Sequence, residues 1–340
     1  MKSVSITGPR QCTFVERELP VLRDNYCLVK VLAAPMCTEF HGYREGHVNS
    51  CLGHEASGVI VAIGPNAKLS IGERVVVMPQ NSCGACELCT SGEHIYCATP
   101  REVTETEASY RATYAEYCIQ QDWLLLPVPT DITMEFASMA CCGLGPTFNA
   151  LRAMQSGLND TVLVSGLGPV GLGAVINARA RGSRVLGFES NPWRASLARE
   201  LGAEAVVDPS CDNAVASILA LTNGVGADMS IESSSAEGAP GRLVEATRSL
   251  GQITTVGWGG PVFARDLTRK GLAFRGAWHW NHIRDADAMF ETIRSSRGLL
   301  NQFITHTFPL TQVQDAWEVQ LTGKCGKIVL LPTGSGAQYQ

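Results

Sequence analysis

The stretch from Thr161 to Glu189 constrains this chain more than any other. Val162–Ser165 is a short apolar run, Gly166-Leu167-Gly168-Pro169-Val170-Gly171 follows at once, and Gly171–Arg181 then has helical character. In such a turn the first glycine permits the tight bend and the second lets backbone approach a pyrophosphate. The third lets helix and strand pack closely, with the helix N-terminus facing the phosphates. Glu189 closes the next apolar run, eighteen residues after Gly171, where a carboxylate accepts hydrogen bonds from an adenosine ribose. That carboxylate would repel a 2′-phosphate, so NAD is expected ahead of NADP. Arg194 is the residue that would instead serve a phosphate or the ribose hydroxyls. The expected cofactor-binding set is therefore Gly166, Gly168, Pro169, Val170, Gly171, Glu189 and Arg194.

The same alternation continues downstream. Val185–Glu189, Ala205–Val207, Met229–Glu232 and Ile253–Val256 read as strands, with helical segments such as Pro192–Leu201 between them. Strands alternating with helices of this length argue for a parallel sheet covered on both faces. Up to about residue 130 the character differs: Cys27–Leu32, Gly58–Ile63 and Arg74–Met78 are β-rich runs punctuated by Gly, Pro and Asn, as in a barrel-like domain. A final strand, Lys327–Leu331, follows a helix around Val313–Leu321 and is expected to return to the first domain. A length of 340 residues accommodates about two domains of ~150 residues each.

Charge and hydropathy remove other classes. Lys plus Arg number 27 and Asp plus Glu 32, a net charge of -5 with no run of like charges, so neither nucleic acid nor an anionic membrane is an expected partner. The opening Met1-Lys2-Ser3-Val4-Ser5-Ile6 leads into mixed polar sequence rather than the apolar core of a secretory signal. The most apolar stretch, Thr161–Ala178, is broken by glycines and a proline. A cytoplasmic protein is expected, and a charged fraction of only 17% points to a homodimer or homotetramer.

Thirteen cysteines, an odd number in a long chain of this kind, fit metal ligation better than a disulfide framework. Cys83, Cys86, Cys89 and Cys97 lie within CGACELCTSGEHIYC. Four thiolates so spaced close a tetrahedron around zinc and leave no position for substrate, which makes this a structural site; two local disulfides or reduced structural cysteines are the alternative. A second group is dispersed: Cys37 in PMCTEFH, His54-Glu55 in LGHEASG and Cys142 in ACCGLGPTF. Two thiolates and one imidazole would leave a fourth zinc position open for water or an alcohol oxygen. From spacing alone, each of these residues could equally be a buried small hydrophobe or a surface pair.

Taken in order, the GHE segment followed by GVIVAIGPNAKLSIGERVVV, the four-cysteine lobe, ACCGLGPTFNAL, GLGPVG with its acidic strand end, and GKCGKIVLLP resemble the zinc-dependent medium-chain alcohol and polyol dehydrogenases over nearly the whole chain. The resemblance implies an α/β fold made of a GroES-like β-rich catalytic domain, residues 1–143 and 281–340 with a zinc lobe at 83–97, and a Rossmann doubly wound parallel sheet at 144–280. It implies a catalytic zinc held by Cys37, His54 and Cys142, with Glu55 as an alternate ligand or a support for them, so two Zn2+ per chain in all. The run Cys37-Thr38-Glu39-Phe40-His41 is one residue shorter than the family pattern. Thr38 and His41 are the residues it offers as a proton relay, with local capping and packing the alternative. Pro146 stands where the family commonly has Thr. Trp278-His279-Trp280-Asn281-His282 is expected to pack at an oligomer interface, with substrate contact the alternative. The implied activity is hydride transfer between NAD and the alcohol or ketone of a small molecule. The short, polar neighbourhood of Cys37 favours a secondary alcohol of a polyol, sugar or cyclitol. A primary-alcohol dehydrogenase and a nucleotide-binding protein without turnover are the competing readings.

Overall fold

The computed structural model describes residues 1–332. The end of the expected first domain, residues 333–340, lies outside the described residues. Two compact units emerge: Met1–Cys142 with Asn281–Arg294 and the C-terminal segment from Ile304, and Gly143–Trp280 with Ser295–Phe303. The sequence reading kept everything after 280 in the first domain. Ser295–Phe303 departs from that because its helix, Arg297–Phe303, buries Leu300 and Phe303 and lies against the helix Pro169–Ala180.

In the first unit a seven-stranded path runs Ile304–Pro309, Lys327–Leu331, Tyr26–Pro35, Ala56–Ile63, Arg74–Val77 and Leu125–Pro127, with Tyr117–Gln121 paired to the long central strand. Tyr26–Pro35 can sit in the middle because eight of its ten residues are buried, five of them aliphatic Leu, Val or Ala. The return strand joins it antiparallel, Val329 opposite Pro35 and Leu330 opposite Ala34. Val29, Val31, Ile60, Val75, Tyr43, Trp317 and Ile328 share one core beneath this sheet. Tyr43 stacks on Trp317 at 4.6 Å.

The second unit holds a six-stranded parallel sheet in the order Ala205–Val207, Arg184–Phe188, Thr161–Ser165, Ala227–Glu232, Thr247–Thr255, Ala273–Gly276. The order reverses beside Thr161–Ser165, so the crevice of the switch point opens at that strand's carboxyl end. The helix Pro169–Ala180 starts there, with eight of its twelve residues buried. The edge strand Ala273–Gly276 escapes sequence detection because it is four residues long, includes Arg275 and Gly276, and has no buried residue. Among the described residues no helix is long and apolar enough to cross a membrane.

Candidate active site and nucleotide cavity

The first unit gathers Cys37, His54, Glu55 and Cys142, whose ligand atoms all lie within 4.8 Å of one another. Cys37 follows the buried end of the central strand, and its carbonyl accepts a 2.7 Å hydrogen bond from Gln320 Nε2. His54 Nε2 is 3.3 Å from Cys142 Sγ and 3.9 Å from Glu55 Oε1. His54 Nδ1 is 2.7 Å from Glu39 Oε1, and Glu39 Oε2 accepts from Tyr114 Oη at 3.1 Å and from the Cys37 backbone N–H at 3.2 Å. A carboxylate on Nδ1 fixes the tautomer that leaves Nε2 as the ligand atom, the arrangement that orients metal-binding imidazoles. Burial alone would raise the Glu39 carboxyl, but the facing His54 outweighs it and holds it at about 2.

Glu55 is fully buried, and burial pushes its carboxyl up to about 7 against the pull of Lys327. Lys327 Nζ reaches Glu55 Oε1 at 2.8 Å, and Cys142 N–H donates to Glu55 Oε2 at 3.0 Å. Cys37 is held well below the usual thiol value by its hydrogen bond with Cys142, and Cys142 is pushed up by the same bond and by burial. Two thiols, one already inclined to ionise, an oriented imidazole and a carboxylate form a donor set suited to zinc.

The four-cysteine lobe fits a metal by distance as well as by type. Tetrahedral zinc with Zn–S bonds of ~2.3 Å has sulfur–sulfur edges of ~3.8 Å. Cys83 and Cys89 stand 3.8 Å apart, Cys86 and Cys89 3.5 Å, Cys86 and Cys97 3.8 Å. All thirteen cysteines are free of disulfides, so the alternative of local bridges does not hold for this lobe. Asn281 anchors it: its Nδ2 donates to Ser91 O at 2.7 Å and Glu93 Oε1 at 3.0 Å. His282 stacks on His94 at 4.9 Å and bonds Trp123 O through Nε2 at 2.8 Å.

The aromatic and imidazole cluster is therefore mostly internal packing, which corrects the expectation of an oligomer contact. Trp280 is buried with its ring edge-on to Phe148, and His279 O accepts from Asn149. Trp278 alone of the cluster is exposed, edge-on to the exposed Trp258.

Thr38 and His41 sit at the start of the helix Glu39–Glu45, both exposed. The Thr38 hydroxyl makes no capping bond, so the capping alternative does not describe it. His41 Nδ1 is 3.4 Å from an Arg44 nitrogen.

In the second unit Gly166 has φ +83, a left-handed conformation that costs glycine little. A Cβ on Gly171 would lie 1.8 Å from Gly166 O, so the third glycine is required by close approach. Gly166, Gly168, Glu189 and Arg194 line a cavity of about 290 Å³ together with Ser233 and Arg242. Pro169, Val170 and Gly171 form the first turn of the helix instead. Glu189 follows the last strand residue, Phe188, and takes the Leu167 N–H on Oε2 at 2.7 Å and the Asn191 N–H on Oε1 at 2.9 Å. Each oxygen keeps a lone pair for a ribose hydroxyl.

Sequence reading did not assign Glu39, Lys327 or Arg242 to a site. A lysine opening the apolar strand Lys327–Leu331 was a readable signal for a buried counter-charge, whereas Arg242 carried none.

Two family models match the chain: the alcohol dehydrogenase GroES-like domain over residues 23–130 and the zinc-binding dehydrogenase over 169–295, together more than half of it. The chain belongs to the zinc-dependent medium-chain dehydrogenase/reductase family. Within this family it is an oxidoreductase of the zinc-dependent alcohol dehydrogenase type, acting on CH–OH donors. It is 29% identical to an L-threonine 3-dehydrogenase of Symbiobacterium thermophilum, over 94% of each chain. The fold matches alcohol dehydrogenase TADH from Thermus sp. ATN1 with a TM-score of 0.88 at 25% identity, covering 97% of this chain and 99% of that one. It also matches an alcohol dehydrogenase of E. coli CFT073 solved in complex with NADH, TM-score 0.81 at 27% identity, over 97% and 99% of the chains.

Proposed function

We propose that this dehydrogenase interconverts a secondary alcohol of a polyol, sugar or cyclitol with its ketone, using NAD. The observation that carries the reading is the convergence of Cys37, His54, Glu55 and Cys142 within 4.8 Å, with Glu39 seated on His54. Cys37, His54 and Cys142 would hold the catalytic zinc, with Glu55 an alternate ligand, and Cys83, Cys86, Cys89 and Cys97 a structural one. When bound, zinc supplies Lewis acidity toward an alcohol oxygen and the nicotinamide supplies a hydride acceptor.

The chain's own residues do the rest. Glu39 keeps the proton of His54 on Nδ1 and fixes the ring. Lys327 neutralises Glu55, so the pocket gathers thiolates without an uncompensated carboxylate among them. Thr38 Oγ1 takes the alcohol proton and His41, one helical turn on, delivers it to solvent. The glycine turn at Gly166–Gly171 and the Glu189 carboxylate hold the dinucleotide, and the negative charge of Glu189 favours the 2′-hydroxyl of NAD over a 2′-phosphate. The NADH-bound relative and the threonine dehydrogenase relative, whose named substrate is a secondary alcohol, support this reading. A homodimer or homotetramer is supported by the exposed Trp258, Phe263 and Trp278, and free cysteines accord with a cytoplasmic setting.

The test combines elemental zinc on protein purified without chelator with NADH formation on a panel of polyols, cyclitols and primary alcohols. About two zincs per chain and preferential oxidation of secondary alcohols are expected. One zinc per chain, or equal use of primary alcohols, overturns the reading.

A further inference from the structure

A second cavity lies in the first unit beside the candidate metal ligands, about 230 Å³ in volume, with His54, Cys51, Gln80, Asn81, Arg111 and Gln120 in its wall. Two of these residues are in states that folding alone does not explain. Arg111 is half-buried, yet among the described residues it has no ion pair within 4.0 Å. Its guanidinium donates only to neutral oxygens, Asn81 Oδ1 at 3.0 Å and Gln80 O at 2.6 Å. Glu107, one turn earlier on the same helix, is bonded to Tyr26 and lies 4.0 Å from Arg101. Gln80 is 2% exposed, and neither atom of its side-chain amide has a hydrogen-bond partner among the described residues.

A half-buried guanidinium without an ion pair and a buried amide without partners are both costly, and proteins keep them where something else completes them. Burial lowers the Arg111 pKa, and the charge of Glu107, which forms no ion pair with it, offsets this only in part. Guanidinium is the side chain best shaped to grip a carboxylate or phosphate through two parallel N–H donors, and the Gln80 amide can add a third. Because His54 lines the same wall, an anion held at Arg111 would leave the rest of a short molecule beside the reacting group. At ~30 Å³ per water the cavity has the volume of about eight waters, the scale of a four-carbon hydroxy acid.

We propose that Arg111 and Gln80 form an anion subsite, and that the substrate is a short secondary alcohol bearing a carboxylate or phosphate rather than a neutral polyol. This rests on the preceding reading of the Cys37, His54 and Cys142 group as the reaction site. Arg111 is a specificity-determining residue in this account, and Gln80 assists it.

The experiment compares kcat/KM of the zinc-loaded enzyme with NAD for erythronate and threonate, for erythritol phosphate, and for neutral erythritol and threitol. At least one anionic class is expected to exceed the neutral tetritols tenfold or more, and which class does so separates carboxylate from phosphate. In Arg111→Gln the anionic-to-neutral ratio falls at least tenfold, and Arg111→Lys restores part of it. Gln80→Leu lowers the ratio while raising the melting temperature, because it removes an orphan amide. Arg111 also braces Asn81 and the Gln80 backbone, but loss of bracing alone would lower both substrate classes together and leave the ratio unchanged. Neutral tetritols used as well as the anions, or an unchanged ratio in Arg111→Gln, overturns the subsite. Calorimetric titration with threonate and with inorganic phosphate reads the subsite independently of turnover. If no alcohol reduces NAD but wild type binds an anion and Arg111→Gln does not, the reaction reading fails and the subsite stands. No anion binding to wild type overturns the subsite.

Discussion

His94 and His282 make the four-cysteine lobe sensitive to acid, and the size of the effect follows from their burial. His94 is 2% exposed, its ring lies 4.9 Å from His282, and its Nε2 finds no partner among the described residues. Burial, with a smaller contribution from His282, lowers its pKa to about 4, and burial lowers His282 as well. A base whose folded pKa is depressed costs nothing above its unfolded value, near ~6.5, because neither state is then protonated. As pH falls below that value the unfolded chain binds a proton that the folded chain refuses. Stability therefore drops until the folded value is reached. At ~1.36 kcal/mol per pH unit, His94 removes about 2 kcal/mol between pH 7 and 5, and about 3 kcal/mol by pH 4. The assay is guanidinium unfolding of wild type and His94→Phe at both pH values. Taking the pH difference within each protein cancels the packing change, and comparing the two differences cancels the protonation of the cysteines. The variant should lose about 2 kcal/mol less than wild type. Equal losses in the two proteins would refute the claim that His94 is held neutral in the fold.

Three further outcomes follow from the geometry. Cys142→Ala should abolish turnover while leaving the melting temperature within a few degrees, whereas Cys89→Ala should mainly destabilise, read by calorimetry and activity on the same preparations; equal unfolding in both would sink the division of roles. Glu39→Gln removes the carboxylate 2.7 Å from His54 Nδ1 and should weaken zinc about 10–100-fold in competition with a chromophoric chelator. Lys327→Met leaves Glu55 buried and uncompensated and should cost about 3–5 kcal/mol, most of which Glu55→Gln in the same chain should restore, read by denaturant midpoints.

What the sequence made legible is what depends on local spacing. The glycine turn at 166–171, the helix Val313–Leu321 and the strand Lys327–Leu331 are where the pattern of residues placed them. The close set of cysteines at 83–97 was readable because its donors lie within fifteen residues of one another. The dispersed group was readable through its resemblance to the dehydrogenases, since nothing in the separate environments of Cys37, His54 and Cys142 says that they meet. Glu39 and Lys327 were missed for a related reason. A carboxylate two residues from a cysteine and a lysine at the head of an apolar strand gain meaning only when folding brings each against its partner. Arg111 is the extreme case, because an arginine on a short helix is ordinary until it is seen to make no ion pair and to bond only neutral oxygens.

The Lys327–Glu55 bond spans 272 residues of chain. A ribosome has therefore made the cysteines, the imidazole and the carboxylate of the candidate metal site, and the whole parallel sheet, long before it makes the lysine that neutralises Glu55. Until then the site carries a carboxylate with no counter-charge, and the central strand Tyr26–Pro35 lacks the neighbour that Lys327–Leu331 provides. Charge balance at the candidate metal site thus becomes a report that translation has reached Lys327–Leu331. A chain that stopped short of Lys327 would contain the glycine turn, the strands of the parallel sheet and every candidate ligand, but no lysine to set against Glu55.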